Sequence, residues 1–162
     1  MSRTLILIRH AHRDTEEPSR DNGLSEKGRE QTERLAAYLH RYLEKEHPGE
    51  KAHFLSSPKK RCRETLSPVA AAAKREFKVD PRLSEFSPIE SRADFEERMN
   101  SFIDDWKYEG PALTVACSHG DWIPACIEKL TGARIGIKKA GIVMVRVEAG
   151  GVFLTNLIQR IL

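Results

Sequence analysis

The sequence predicts an α/β fold in which a mostly parallel sheet is covered by helices on both faces. Three observations carry this. Leu5-Ile6-Leu7-Ile8 and Leu113-Thr114-Val115-Ala116-Cys117-Ser118 are short, nearly continuous apolar runs, the pattern of strands buried on both sides. Segments with helical spacing alternate with strand-like segments, as crossovers between parallel strands require. Near the C-terminus, residues 142–147 and 152–157 flank Ala149-Gly150-Gly151 as a hairpin, so at least one strand runs antiparallel.

The elements follow in order. After the opening strand, residues 14–23 are polar and contain Pro18 and Asn22-Gly23, which reads as a loop. Ser25 then caps a helix with Glu26 in its first turn. Leu35, Tyr38, Leu39, Tyr42 and Leu43 recur at spacings of three and four and form one apolar stripe, which Pro48-Gly49 ends. Residues 52–56 make a short strand. Ser57-Pro58 reads as a helix start, a capping residue followed by proline at the first helical position. That helix carries Arg61, Cys62, Thr65 and Leu66 and is expected to kink or restart at Pro68. Residues 78–83 are extended, with Pro81 confining them to a sheet edge. Ser91 opens a helix whose Phe95, Met99, Phe102, Ile103 and Trp106 share a face, closed by Gly110-Pro111. The second strong strand leads into a helix that ends near Leu130, with Gly132 as its stop.

Composition narrows the classes of function. The length of 162 residues suits a single domain over 1–162 with a substantial core, and 40% hydrophobic with 31% charged residues is ordinary for a globular protein. No apolar stretch approaches the ~20 residues of a membrane span, and the N-terminal run is too short for a secretory signal, so the expected compartment is the cytoplasm. Three widely spaced cysteines, Cys62, Cys117 and Cys126, read as reduced thiols, not a disulfide framework or a zinc site. A net charge of +3 suits an anionic substrate but is no nucleic-acid footprint.

The two strong strands end alike, one at Arg9-His10 and the other at Ser118-His119. As parallel neighbours they would bring both imidazoles to the carboxyl edge of the sheet, where α/β folds keep their sites. Arg61, early in the helix after the strand ending Ser56-Ser57, can reach the same point. Two imidazoles and two guanidiniums in one small volume repel one another unless an anion joins them. Phosphate, whose oxygens suit the arginine fork, is the natural occupant.

Arg9-His10-Ala11, Leu24-Ser25-Glu26-Lys27-Gly28, Ser56-Ser57-Pro58 with Arg61 and Thr65, Leu83-Ser84-Glu85, and Ser118-His119-Gly120 resemble, in order, the motifs of the histidine phosphatase superfamily. That superfamily includes the cofactor-dependent phosphoglycerate mutases, and in size the chain is closest to its small bacterial phosphohistidine phosphatases. The resemblance runs from Leu5 to about Gly132. It implies a three-layer α/β/α sandwich, a covalent phosphohistidine on His10, and Arg9, Arg61 and His119 as ligands of the transferred phosphoryl group. It makes Glu85 the acid that protonates the leaving oxygen, with no metal and no other cofactor. A phosphorylated small molecule or a phosphohistidine protein is the implied partner.

Some positions depart from the pattern. Ala11 stands where glycine is common, and Phe86-Ser87-Pro88-Ile89-Glu90-Ser91 replaces a glycine-rich segment after the acid. Arg13, four residues beyond Arg9 as in the Arg-His-Gly-x-Arg motif of the acid-phosphatase branch, is a further candidate phosphate ligand. Asp121, two residues beyond His119, is an alternative acid. His12 reads as a loop residue facing solvent, Ser57 as a cap, Cys117 as core, and Trp122 as packing or a pocket wall.

Three rival readings share these residues. A mutase-type phosphotransferase needs a second anion pocket, for which the chain looks too compact. The His-x-His-x-Asp spacing of His10, His12 and Asp14 matches metal-dependent hydrolases, but Arg9 and Arg13 would stand against a dication. A non-catalytic phosphate-binding module would keep the pocket without turnover.

Overall fold

The computed structural model describes residues 2–162. The opening strand β1 (Arg3–Arg9) lies inside a six-stranded sheet. It pairs in parallel with β4 (Leu113–Ser118) on one side and antiparallel with β5 (Ile142–Glu148) on the other. This is why its apolar run is unbroken. Leu5 and Leu7 pack on one face with Met99, Phe102, Trp122 and Ile127, and Ile6 and Ile8 pack on the other with Leu35, Leu39, Leu66 and Val69. All four strand residues are fully buried, each contributing about 1.5–3 kcal/mol of burial.

Beyond β4 come β2 (His53–Ser56) and the edge strand β3 (Phe77–Val79), both parallel to it. Beyond β5 comes β6 (Gly151–Ile158), giving the order β3-β2-β4-β1-β5-β6 with β5 as the antiparallel member. The hairpin turn places Ala149 and Gly150 at φ 43° and 83°, the two left-handed positions of a two-residue turn matched to strand twist. Helices α1 (Glu26–Glu46) and α2 (Lys60–Ala72) cover one face. Helices α3 (Arg92–Asp104), continued by a π-turn over Asp105–Glu109, and α4 (Trp122–Thr131) cover the other. The result is the expected three-layer sandwich, with a mostly parallel sheet. Among the described residues, no helix is long and apolar enough to cross a membrane.

Ser25 and Ser91 cap α1 and α3 as expected, accepting from Gly28 N and Asp94 N. Three details differ from the sequence-based expectations. Helix α2 begins at Lys60, not at Ser57-Pro58, and has no cap from its own preceding side chain. Its free Lys60 and Arg61 N–H groups donate instead to the carboxylate of Asp21, from the loop after β1. The helix runs on through Pro68 without restarting, because Leu66, Val69 and Ala70 are buried on either side of that position. The extended segment stops at Val79, and Pro81–Leu83 forms a 3-10 turn opened by Asp80, whose side chain accepts from Arg82 N.

Candidate active site

Register builds the site. Arg9 pairs with Ser118 across β1 and β4, so the next residues on the two strands, His10 and His119, leave the sheet side by side. Their rings meet edge to face with centroids 5.5 Å apart. Ser56 pairs with Cys117, which brings Ser57 and the start of α2 to the same edge.

The backbone around His10 is held on every side. His10 N donates to Ser118 O (3.1 Å), Ala11 N donates to Thr65 Oγ1 on α2 (2.9 Å), and Ala140 N donates to the carbonyls of Arg9 and His10 (3.1 and 3.2 Å). The His10 side chain is 5% exposed, and its Nδ1 bonds the carbonyl of Ala11 at 2.8 Å. A carbonyl only accepts, so Nδ1 carries the hydrogen and Nε2 keeps its lone pair. Burial lowers the imidazole to about 3; the Ala11 bond works against this, and the charges of His119, Arg61 and Arg9 add to it. His10 is therefore neutral across the physiological range.

His119 is also buried. Its Nε2 lies 2.7 Å from Ser57 Oγ and 3.5 Å from Cys62 Sγ, and its Nδ1 is 3.8 Å from Glu85 Oε2. Arg61 donates from Nη2 to Glu85 Oε1 at 2.7 Å and sits 3.6 Å from Asp21 Oδ1. Arg9 donates from Nη1 to Ile137 O at 2.7 Å, and its guanidinium lies against Gly120. A Cβ at position 120 would come within 2.6 Å of Arg9 Cζ, so only glycine leaves this arginine its place. Three polar atoms of this cluster, Arg9 Nε, Arg61 Nε and His119 Nδ1, are buried without a hydrogen-bond partner among the described residues. Burial pushes the Glu85 carboxyl up, but the bond to Arg61 and the charges of Arg61, His119 and Lys59 outweigh it and hold the group below its ordinary value.

Glu85 reaches this cluster because the segment carrying it is fastened. Arg98 of α3 donates to the carbonyls of Arg82, Ser84 and Glu85 and pairs with Glu90 at 2.7 Å. Ser118 Oγ donates to Leu83 O (2.6 Å), and Asp121 accepts from Phe86 N (2.9 Å). Trp122 is fully buried and donates from Nε1 to Arg82 O, so it underlies this segment and does not wall a pocket.

The structure thus gathers His10, His119, Arg61, Glu85 and Arg9. Arg13 donates from Nη2 to Pro18 O and Arg20 O of its own loop, while its Nε, like those of Arg9 and Arg61, is buried without a hydrogen-bond partner among the described residues. His12 is half-buried rather than free in solvent, with Nδ1 2.7 Å from Ser25 Oγ. Among the described residues no group of three or more His, Cys, Asp or Glu side chains is arranged to hold a metal ion, and the His10, His12 and Asp14 spacing does not gather one. Cys62, Asp21 and Arg98 escaped the sequence reading as site residues, and Ser57 and Thr65 entered it as motif positions without a site role of their own. For Ser57 the local Ser-Pro signal pointed to a helix cap, while its hydroxyl is engaged by His119.

The family described as the histidine phosphatase superfamily (branch 1) matches residues 5–89, just over half of the chain. A search of curated proteins finds no match. Among solved structures, a mycobacterial glucosyl-3-phosphoglycerate phosphatase in complex with VO3 is similar at TM-score 0.74 and 20% identity, over 95% of this chain and 98% of that one. A phosphoserine phosphatase of Entamoeba histolytica in complex with 3-phosphoglyceric acid gives 0.74 and 19%, over 96% of each chain. The protein histidine phosphatase SixA complexed with tungstate gives 0.74 and 17%, also over 96% of each. At such identities the likeness speaks for the fold.

Proposed function

The chain belongs to the histidine phosphatase superfamily, and from that membership we propose a phosphatase that hydrolyses a phosphomonoester or a phosphohistidine without metal, through a covalent intermediate on His10. The observation that carries this reading is the state of the His10 ring. It is buried, neutral and oriented by the Ala11 carbonyl, with its Nε2 lone pair left for attack.

Nε2 attacks phosphorus as the bond to the leaving atom breaks. Arg9, Arg61 and His119 donate to the equatorial oxygens, whose charge they stabilise best in the transition state. Their buried unpaired Nε and Nδ1 atoms are donors that such oxygens would satisfy. Glu85 delivers a proton to the departing oxygen. Its pairing with Arg61 keeps the carboxyl ionised until a phosphoryl dianion draws Arg61 away and brings negative charge beside it, which raises its proton affinity so that it takes up a proton from solvent before the transfer. In the second half-reaction water attacks the phosphohistidine while Glu85 takes the water's proton. The P–N bond breaks, inorganic phosphate leaves, and His10 returns to the neutral form. A phosphoimidazole substrate leaves with less need of the acid.

The test is hydrolysis of an aryl phosphate by wild type and His10→Ala, with chelator present throughout. Turnover is expected to resist the chelator and to fall by at least about 10³-fold in the variant. Turnover abolished by the chelator, or retained in His10→Ala, overturns the reading.

A further inference from the structure

The two ring nitrogens of His119 have different surroundings, and a neutral imidazole carries its hydrogen on one of them only. Nε2 lies 2.7 Å from Ser57 Oγ and 3.5 Å from Cys62 Sγ. Nδ1 is buried without a hydrogen-bond partner among the described residues and stands 3.8 Å from Glu85 Oε2. The proposed reaction needs the hydrogen on Nδ1, where a phosphoryl oxygen would accept it. In water the neutral ring of histidine favours Nε2 instead, so some group in the fold has to reverse that preference.

Ser57 is placed to do this. It is fully buried, its N–H donates to Cys117 O (3.0 Å), and Ser56 Oγ donates to its carbonyl (2.8 Å), so its backbone is fixed on both sides. Lys59 N approaches the Ser57 hydroxyl as a donor, at 3.5 Å. Among the described residues, His119 Nε2 is then the one acceptor for the hydroxyl hydrogen. A hydroxyl that donates to Nε2 needs the lone pair there, which puts the ring hydrogen on Nδ1. Cys62 competes weakly, because a thiol is a poor donor and its Sγ also has Ser118 O at 3.6 Å. The ring itself cannot drift, since Ile123 N donates to His119 O (3.0 Å) and His10 packs edge to face against it.

We propose that Ser57 is a positioning residue of the reaction, whose hydroxyl fixes His119 as the Nδ1–H tautomer and so makes it a donor to the transferred phosphoryl group. The assignment rests on the phosphatase reading above for the position of that group. The two imidazoles are then set to opposite uses by their neighbours. The Ala11 carbonyl holds a hydrogen on His10 Nδ1 and leaves Nε2 a lone pair for phosphorus. The Ser57 hydroxyl holds a lone pair on His119 Nε2 and leaves Nδ1 a hydrogen for oxygen. In the other tautomer His119 would turn a lone pair toward a phosphoryl oxygen, and a donor aimed at developing charge would be lost. No proton passes between Ser57 and His119 during turnover; the serine only orients the ring hydrogen.

The test is nitrogen-15 NMR of the imidazole rings at pH 8 in wild type, Ser57→Ala and Ser57→Thr, with His119 assigned by the signals missing from His119→Gln. Wild type is expected to carry the His119 hydrogen on Nδ1. Ser57→Ala is expected to move most of it to Nε2, and Ser57→Thr, which keeps the hydroxyl, to restore it. Aryl phosphate kcat is expected to fall about tenfold or more in Ser57→Ala, as the competent tautomer becomes the minor one, and to recover in Ser57→Thr. A hydrogen on Nε2 in wild type, whether the ring is neutral or charged, overturns the proposal without any variant having to fold. So does a Ser57→Ala ring that keeps its hydrogen on Nδ1, or one that shifts to Nε2 with kcat unchanged. Failure of the phosphatase reading shows separately, as aryl phosphate turnover that survives His10→Ala, because the spectra read the tautomer without turnover.

Discussion

His10 illustrates how a single environment sets both reactivity and stability. Burial holds its imidazole at about 3, against 6.5 for the unfolded chain. Below pH 6.5 the unfolded chain binds the proton and the folded protein does not, so stability falls as pH drops from 6.5 toward 3. At pH 5 the loss is roughly 2 kcal/mol. Denaturant titrations at pH 7 and pH 5 are expected to show this difference in wild type and to show it reduced by about that amount in His10→Gln. Equal slopes for the two proteins would mean that the imidazole charges freely in the fold. Glu85 calls for a different experiment. As the acid for the leaving oxygen, its removal matters most where the leaving group is a poor one. Glu85→Gln is expected to lower kcat on an alkyl phosphate about 10²-fold and on a nitrophenyl phosphate far less. Equal losses on both substrates would point instead to its bond with Arg61, which positions the guanidinium.

At the scale of elements, the site is a junction of strand ends and helix beginnings, and α2 does most of the joining. Thr65 donates to Arg61 O at 2.7 Å and accepts from Ala11 N, while Thr32 of α1 donates to Thr65 O at 2.6 Å. One hydroxyl therefore ties the helix carrying Arg61 to the backbone of the His10 loop. Thr65→Val keeps the shape and leaves the Ala11 N–H buried without an acceptor, at a cost of about 1–3 kcal/mol. We expect a lowered unfolding midpoint with a fall in kcat, whereas a midpoint shift alone would show that the His10 loop holds its geometry without this bond. Motif spacing has the same kind of cause. Ser25 caps α1 through Gly28 N, and a Cβ at Gly28 would fall 2.0 Å from the carbonyl of His12. That close approach lets α1 begin directly beside the His10 loop.

Across the whole molecule, two apolar clusters share one sheet, and the first strand pairs with the C-terminal hairpin through β5. Neither cluster can lose its strands without exposing the other, so we propose one cooperative domain over residues 1–162. Calorimetry is expected to give a single transition with matching van't Hoff and calorimetric enthalpies, near 60 °C about 110 kcal/mol for 162 residues. Two resolved transitions would divide the chain. The packing of α1 against the turn before β5 and the segment after β6 gathers Lys27, Arg34, Lys138, Lys139 and Arg160 around one cavity, so a mild net charge of +3 conceals a concentrated basic patch.

Sequence alone determined the order and type of the main strands and helices, though not the 3-10 turn at Pro81–Leu83, because buried strands and amphipathic helices write their burial directly into hydrophobic spacing. It also determined Arg9, His10, Arg61 and His119 as a candidate set, since each follows a recognisable strand end or helix start. Tertiary structure decided the rest. Ser57 reads locally as a cap, and only the β2–β4 register places its hydroxyl on His119. Asp21 completes a helix that begins 39 positions later, contrary to any short-range rule. Lys27, Arg34, Lys139 and Arg160 are ordinary surface charges until α1, the turn before β5 and the chain end meet around one cavity. Hydrophobic periodicity is local and survives in one dimension, whereas hydrogen bonds and charge clusters depend on distances that only the packed chain defines.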